Sequence, residues 1–293
     1  MRLDIAAAQA LNISREKAKK MILSGSIMVN GTVQIIPKFE IQDQEITSTE
    51  LNPIIIIQNE IKPNYDIPLD IIFEDDDILI INKQKGLMVH EGASENFHTL
   101  VNALVAKYGM DFQNVGSSFR PGIVHRLDKN TTGLMIIAKN QISFDLLTKM
   151  ITNREITRKY LAVCYGIPRL KAGKVTVNIG VDLKDKTKRK ALQIGGREAV
   201  THYKLLDSKN GFSLIECKLE TGRTHQIRVH LSYIGHPIVG DETYCMRPKV
   251  QGFSSQILHA YCLEFKHPVS NELLSFTNKE DFLKHIESFG FVW

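Results

Sequence analysis

The chain has 293 residues, of which 43% are hydrophobic and 24% are charged, and its formal net charge is +5. This composition is ordinary for a globular protein of one or two domains, and no apolar run approaches the ~20 residues that a membrane-spanning helix needs. Four widely spaced cysteines without a C-x-x-C pair argue against a zinc ribbon and a disulfide framework. Because the N-terminus lacks the features of a signal peptide, we expect a cytoplasmic protein.

The first 48 residues or so have a pattern of their own. The stretch RLDIAAAQA predicts a short helix, and Ser14 is a plausible N-cap for a second, basic helix, REKAKKMILSG, which would end at Gly25. Its apolar face would contain Ala18, Ile22 and Leu23. The stretch SIMVNGTV predicts a hairpin, because Asn-Gly at 30–31 suits a tight turn. Residues 49–66 predict a strand, with four isoleucines at 54–57, and a linker.

This order of helix, basic helix and hairpin resembles the alpha-L (S4-like) RNA-binding module of ribosomal proteins and of several RNA-modifying enzymes. The resemblance implies a module with its linker over residues 1–62. It also implies that the RNA backbone is bound by Arg2, Arg15, Lys17, Lys19 and Lys20. The alternative is a surface helix whose lysines are merely solvated.

Strands outnumber helices in the rest of the chain. The stretch LDIIFEDDDILIINK predicts two strands around an acidic turn at 75–77, whose carboxylates leave a metal site as the alternative. Two amphipathic helices are predicted, SENFHTLVNALVAKYG and QISFDLLTKMITNR. Further strands are predicted at GLMIIAKN, RKYLAVCYG, AVTHYKLL, FSLIECKLE and ILHAYCLEF. We therefore predict an α+β fold with a large mixed, mostly antiparallel sheet over residues 63–293, behind a small N-terminal α/β module.

Positive charge is concentrated in one part of the chain. Residues 154–204 have a net charge of +9, which leaves −4 for all the others. Such an excess is typical of a surface that binds a polyanion. The alternative is a solvated loop, above all for KDKTKRK at 184–190.

The nonapeptide HRLDKNTTG at 125–133 places charged residues between two apolar segments. A carboxylate on such a tightly held turn, Asp128, is well placed to act as a nucleophile or a base. The alternative is that Asp128 only caps the turn that follows it. A second stretch, LETGRTHQIRVHLSYIGHPIVGDETY at 219–244, brings together donors that suit phosphates and bases: Arg223, His225, Gln226, Arg228 and His230. Its histidines do not form the H-E-x-x-H pattern, so we predict no metal site.

Together with NKQKGLMVHEGA and TRKYLAVCYG, these stretches resemble the motifs of the bacterial ribosomal RNA pseudouridine synthases of the RluA/RluD type, over nearly the whole chain. The resemblance implies the pseudouridine synthase fold, and isomerisation of 23S ribosomal RNA uridines, in the helix 69 stem-loop, without a cofactor. The partner would be 23S RNA or the assembling large subunit, and we expect a monomer.

Carried over by position, the resemblance also implies residue roles. Asp128 would be the catalytic aspartate, Arg228 its ionic partner, and Tyr160 would pack against the uracil near carbon 5 and help remove its proton. Arg126 would fill the space that the flipped uridine leaves, and Ile227 and Leu258 would line the pocket. The remaining RNA contacts would come from Arg223, His225, Gln226, Arg15, Lys19 and Lys20.

Two mechanisms and two rival functions stay open at this stage. Asp128 could form a covalent bond to the sugar, or take a ribose proton and produce a glycal. The rival functions are a non-catalytic ribosome-assembly factor and a nucleoside or glycoside hydrolase. The hydrolase needs a second, acidic carboxylate near Asp128.

Overall fold

The structure is a computed structural model, and it describes residues 1–11, 13–41, 45–48, 61–90, 97–117 and 120–293. The chain divides into two compact units, Met1–Glu60 and Ile61–Trp293. Within the described ranges, no helix combines the length and the apolar character needed to cross a membrane. The strand predicted at 54–57 lies outside the described residues.

The first unit pairs two helices with a small antiparallel sheet in the order β2-β1-β3. Its elements are α1 (Leu3–Ala10), α2 (Arg15–Leu23), β1 (Ile27–Val29), β2 (Thr32–Val33) and β3 (Ile46–Ser48). The predicted N-cap is confirmed, because the Lys17 amide donates to Ser14 Oγ at 3.2 Å. The predicted hairpin is also confirmed: Asn30 and Gly31 both have positive φ, +50° and +75°, as its type of tight turn requires.

Two details of the basic helix differ from the prediction. The helix ends at Leu23, two residues before Gly25. Ala18 and Ile22 are fully buried, whereas Leu23 is 58% exposed. The assignment of Leu23 to the apolar face was wrong, because at 100° per residue it is rotated by about 140° from Ala18.

The second unit is built on a large sheet flanked by helices. Its helices are α3 (Leu100–Tyr108), α4 (Gln141–Thr152), α5 (Gln226–Tyr233) and α6 (Glu280–His285), with 3₁₀ turns at Met110–Asn114 and Glu287–Phe289. Its strands are β4 (Ile71–Glu74), β5 (Ile78–Lys83), β6 (Gly116–Ser117), β7 (Arg120–Pro121), β8 (Thr132–Ala138), β9 (Thr157–Tyr165), β10 (Ala172–Thr176), β11 (Asn178–Val181), β12 (Arg189–Leu192), β13 (Val200–Lys209), β14 (Phe212–Leu219), β15 (Leu258–Lys266) and β16 (Leu273–Thr277).

The predicted fold class is confirmed. In the described part of the chain, a nine-stranded sheet has the order β10-β13-β14-β9-β15-β8-β5-β4, with β16 paired to β15. Neighbouring strands are antiparallel except for β8 and β15, which are parallel. The acidic turn is confirmed as well, since Asp75 Oδ1 accepts from the amides of Asp77 and Ile78 at 2.9 and 2.8 Å. Helix α5 was not predicted.

Gly133 allows the two central strands to meet. It has φ +113°, and a Cβ atom added there would lie 2.2 Å from the Ala260 carbonyl oxygen of β15. Ala260 is its partner in the parallel β8–β15 pair. The loop that contains Asp128 ends where β8 begins. The close contact between Gly133 and Ala260 therefore also fixes the end of that loop.

We expect Gly133→Ala to lower the free energy of unfolding by about 3 kcal/mol, since backbone strain and a clash with main-chain atoms add together. Chemical denaturation would measure the loss. Gly211→Ala is the matched control, because Gly211 also has positive φ, +80°, but nothing within 4 Å of the added Cβ. It should lose only about 1 kcal/mol. Equal losses in the two variants would contradict a role for the strand contact.

Candidate active site

Asp128 lies on the loop between β7 and β8, and the loop is held by main-chain hydrogen bonds. The Thr131 amide donates to the Asp128 carbonyl, and the Gly86 amide to the Lys129 carbonyl, both at 3.0 Å. Leu127 is buried, whereas the Asp128 side chain keeps 16% of its surface exposed. A short, rigid loop therefore presents one carboxylate to solvent-accessible space.

The carboxylate of Asp128 does not cap the turn that follows it. The turn is closed by the main-chain carbonyl of Asp128, and the carboxylate instead accepts a hydrogen bond from Arg228 Nη1 at 3.1 Å. The side chain is thus directed at an ionic partner 100 positions further along the chain. This geometry favours the chemical interpretation of Asp128 over the capping one.

Arg228, on helix α5, joins Asp128 to a second carboxylate, Asp241. Arg228 Nε and Nη2 donate to the two oxygens of Asp241 at 2.8 and 2.9 Å, and Nη2 also reaches Thr243 Oγ1 at 3.1 Å. Burial lowers the pKa of Arg228, but Asp241 and Asp128 raise it more, so the net pKa is above the ordinary value. The guanidinium is therefore a permanent, fixed cation beside Asp128.

Asp241 is a site residue that the sequence analysis missed. Its side chain is fully buried, and Oδ1 also accepts from the amides of Thr243 and Tyr244 at 2.9 and 3.1 Å. The stretch quoted at 219–244 contains it, but no property of an isolated aspartate shows which arginine it binds. Asp241 orients Arg228, and through it the ionic contact with Asp128.

His225 directly precedes helix α5, with φ +59°, and lies close to Asp128, its Nε2 being 3.9 Å from Asp128 Oδ1. Burial lowers the pKa of His225, and the nearby carboxylates offset this only in part. Its Nδ1 is 2.7 Å from the Tyr244 hydroxyl. His230 has separate partners, Thr201 Oγ1 and the Val177 carbonyl. The two histidines therefore do not share a ligand site.

Gln226 is bonded entirely within the protein. Its Oε1 accepts from Thr221 Oγ1 and the Arg223 amide at 2.8 and 2.9 Å. Its Nε2 donates to the Val200 carbonyl and Thr201 Oγ1, both at 3.0 Å. With 3% of its surface exposed, Gln226 supports the loop that carries Arg223. A direct contact with RNA would require some of these bonds to break.

A cleft of about 530 Å³ gathers the predicted residues of the second unit. Tyr160 from β9, Ile227 from α5 and Leu258 from β15 are buried apolar parts of its wall. Burial raises the pKa of Tyr160; Arg158 opposes this and Asp128 adds to it, so the phenol stays neutral at neutral pH. The predicted residues that line the cleft are Arg126, Asp128, Tyr160, Arg223, His225, Gln226, Ile227, Arg228 and Leu258.

Two of the predicted arginines of the cleft are accessible to a large ligand. Arg126 is exposed, and its Nη1 is 3.3 Å from His90 Nε2. Burial, Arg126 and Arg120 lower the pKa of His90 to about 4, so the imidazole is neutral and does not compete for anions. Arg223 is partly exposed and donates through Nε to the Glu198 carbonyl at 3.0 Å. Both guanidiniums keep donors available for phosphate oxygens.

Lys83, at the end of β5, ties the neighbouring loop to the Asp128 loop. Its ammonium is buried and donates to the carbonyls of Gln84, Leu87 and Lys129 at 2.8, 2.9 and 3.1 Å. Burial lowers the pKa of Lys83 to about 8, against the opposing charge of Asp128. The stretch NKQKGLMVHEGA contained this lysine, but its burial was not predicted.

The basic segment 184–190 follows β11, includes the first two residues of β12 and borders the site. Thr187 and Lys188 line a second cavity, of about 430 Å³, which shares Arg126, Asp128 and Arg228 with the cleft. The Arg189 amide donates to the Tyr244 hydroxyl at 2.8 Å. The β11–β12 hairpin is therefore bound to Tyr244, the residue that contacts His225. The positive segment therefore lies beside Asp128 and is not a remote surface loop.

In the first unit, two of the predicted RNA-binding arginines form ion pairs. Asp4 is buried and is 2.9 Å from both Arg2 Nη2 and Arg15 Nη2. Burial raises the pKa of Asp4, but the hydrogen bonds and charges of the two arginines outweigh this and lower it. Arg15 remains 55% exposed, and Lys17, Lys19 and Lys20 are exposed as well.

Two family models match the chain. The model described as RNA pseudouridylate synthase matches residues 77–233, and the model described as S4 domain matches residues 1–46. The first match includes Asp128, Tyr160 and Arg228, and the second includes the whole basic helix α2. The two matches fall in different compact units.

Relatives with known names are similar over most of the chain. An uncharacterized RNA pseudouridine synthase of Bacillus subtilis (strain 168) is 38% identical over 265 residues, covering 90% of this chain and 84% of that protein. Ribosomal large subunit pseudouridine synthase D of Vibrio parahaemolyticus is 40% identical over 293 residues, covering 94% and 86%. The structure of human RNA pseudouridylate synthase domain containing 4 aligns with a TM-score of 0.60 and 26% identity, over 76% of this chain and 94% of that one.

Proposed function

The chain belongs to the RNA pseudouridylate synthase family, and from that premise we propose that it isomerises specific uridines of large-subunit ribosomal RNA to pseudouridine. One observation carries the proposal: Asp128 and Arg228 form an ion pair in a cleft whose wall contains Tyr160 and Leu258. The finer assignment is the helix 69 stem-loop of 23S RNA, in the free RNA or the assembling subunit. We further propose a cytoplasmic monomer that works without a cofactor.

The reaction breaks the bond between uracil N1 and the ribose and forms one between C5 and the same ribose carbon. Asp128 either bonds to the sugar as positive charge develops there or removes a ribose proton to give a glycal. The positive charge of Arg228 stabilises the anionic carboxylate in the partly buried cleft. Tyr160 packs against the uracil ring near carbon 5 and helps to remove the proton of that carbon, from a phenol that burial keeps neutral at rest.

A uridine in an RNA stem or stack reaches this cleft only when it is flipped out, which costs a few kcal/mol. Arg126, exposed beside Asp128, is suited to fill the space that the base leaves. Neighbouring phosphates would be bound by Arg223 and by Lys188 and Arg189 of the β11–β12 hairpin. His225, on the same wall of the cleft, would also contact the RNA. Gln226 would act by positioning Arg223. These contacts offset the cost of flipping.

The N-terminal residues 1–62 would bind the RNA backbone, and residues 63–293 would perform the chemistry. Arg15, Lys19 and Lys20 are on one short helix with exposed charges, as a backbone-binding surface requires. Binding through many such cations releases counterions, so RNA affinity should fall steeply as salt increases. The S4 match over residues 1–46 supports this assignment.

Pseudouridine mapping tests the proposal. Unmodified 23S RNA is incubated with the protein, treated with carbodiimide and examined by primer extension. We expect the wild type to produce new stops at one or a few uridines. A hydrolase would instead release free uracil, and an assembly factor would bind RNA without any stop. Either of these outcomes would contradict the proposed function.

A further inference from the structure

Another arginine of the cleft, Arg158, has no hydrogen-bond or ion-pair partner among the residues that the structure describes. It lies on β9, two positions before Tyr160, and only 4% of its surface is exposed. Its Nε is buried without a hydrogen bond, and across the described residues the guanidinium is in no hydrogen bond or ion pair. The side chain lines the cleft, where Gly222 leaves room: a Cβ added there would lie 3.1 Å from Arg158 Nη1.

An unpaired guanidinium at this depth is unfavourable for the folded protein. Removing a cation from water is costly unless an anion and hydrogen bonds replace the water. Arg228, in the same cleft, has both, because Asp241 and Asp128 bind it. The contrast indicates that the partner of Arg158 is a ligand that the cleft receives, and that this ligand supplies oxygen acceptors with negative charge.

His125 supplies a second unused donor on the same cleft. Its Nε2 accepts from the Ile136 amide at 3.1 Å, which places the ring proton on Nδ1. That Nδ1 is buried without a partner. Burial and the charge of Arg158 lower the pKa of His125 to about 3, so the ring is neutral and keeps one proton to donate. Both unsatisfied groups therefore favour an acceptor oxygen.

We propose that Arg158, assisted by His125, binds a carbonyl oxygen of the flipped uracil and stabilises the negative charge that the base acquires during the reaction; this rests on the proposed function. When the N1–ribose bond breaks, its electron pair stays on uracil N1, and the charge spreads to O2 and O4. In the covalent route C1′ of the ribose bonds to Asp128, and this bond breaks when C5 bonds to C1′. In the glycal route C2′ loses a proton to Asp128 and regains it when C5 bonds to C1′. In both routes C5 finally loses its proton and N1 gains one.

The position of Arg158 favours the base over a phosphate. Side chains two positions apart on a strand lie on the same face, about 6.7 Å apart, so Arg158 and Tyr160 can contact one ring system. The phosphates of an RNA chain stay hydrated at the protein surface. They suit Arg126 and Arg223, which are exposed or partly exposed, better than a guanidinium that is almost completely buried.

Arg158→Met and Arg158→Lys test the assignment in single-turnover reactions at saturating RNA. We expect the methionine variant to lower the rate of pseudouridine formation by about 10²–10³-fold, as the loss of a charge-stabilising donor does, and to change RNA affinity by less than about threefold. The lysine variant should recover part of the rate, since it restores the positive charge but not the planar guanidinium group.

Thermal unfolding separates this role from a structural one. Because methionine removes an unpaired buried charge, Arg158→Met should raise the melting midpoint by about 2–4 °C without RNA. A lower midpoint together with a proportionate loss of active protein would overturn the inference, since it would mean that Arg158 only holds the fold.

RNA with a methylphosphonate on either side of the target uridine shows whether Arg158 binds a uracil oxygen or a phosphate oxygen. With uracil as the ligand, this change should weaken the wild type and Arg158→Met equally. An effect on the wild type alone would overturn the uracil assignment in favour of a phosphate. An active wild type with an equally active Arg158→Met would refute this inference alone, whereas a wild type that forms no pseudouridine would refute the proposed function.

Discussion

Replacing Asp128 with asparagine should lower the rate of pseudouridine formation on the order of 10⁴-fold or more, the range found when a reacting group is removed from an active site. Asparagine has nearly the same shape and can still accept from Arg228, so the loop and the fold should persist. What disappears is the negative charge that reacts with, or deprotonates, the ribose. Primer extension after carbodiimide treatment measures the rate in single-turnover reactions.

Affinity and stability measurements show whether the loss is chemical. RNA binding of Asp128→Asn should stay within about threefold of the wild type, because phosphate contacts dominate affinity. Asp145→Asn is the matched control, since Asp145 is an exposed carboxylate on α4 whose contact is with Gln141. It should keep the full rate. An active Asp128→Asn would mean that another group performs the chemistry.

Replacing Arg228 with methionine should have a double effect. It leaves Asp241 buried without its cation, and Asp128 loses its ionic partner. Breaking a buried ion pair on one side costs about 3–5 kcal/mol of folding free energy. The rate of pseudouridine formation should fall at least about 10³-fold, because the carboxylate of Asp128 is then neither oriented nor stabilised. Chemical denaturation and single-turnover kinetics measure the two losses.

A double variant separates these two effects. In Arg228→Met with Asp241→Asn, the buried charge of Asp241 is removed as well, so most of the folding free energy should return. The rate should not return, because Asp128 still lacks its partner. If rate and stability recover together, Arg228 contributes only to folding, and its assignment to the active site is wrong.

Local patterns in the sequence were sufficient for much of the fold. Alternating and continuous apolar runs located the central strands, and Asn30-Gly31 and Ser14 marked a hairpin and a helix start that the structure contains. Such features depend on residues within a few positions of one another, through turn geometry and side chain to main chain hydrogen bonds. The sequence therefore contains their full physical cause.

Helix α5 shows where local pattern was insufficient. In its sequence, QIRVHLSY, apolar residues alternate with polar ones as in a strand. The structure buries every position from Gln226 to Leu231, so no polar face exists to reveal a helical period. Its polar side chains are satisfied by distant groups, such as Asp241 for Arg228 and Thr201 for His230. Only the packed structure supplies those partners.

By itself, the sequence determined the residue types of the site and the motifs that carry them, including Asp128, Tyr160 and Arg228. The tertiary structure decided which of them meet, because the Asp128–Arg228 contact joins positions 100 residues apart. It alone showed that Asp241 orients Arg228, that Lys83 and Gln226 are fully engaged inside the protein, and that Arg158 is not. Burial and hydrogen-bond satisfaction depend on the surroundings of a side chain in space, and those surroundings exist only after the strands and helices have packed together.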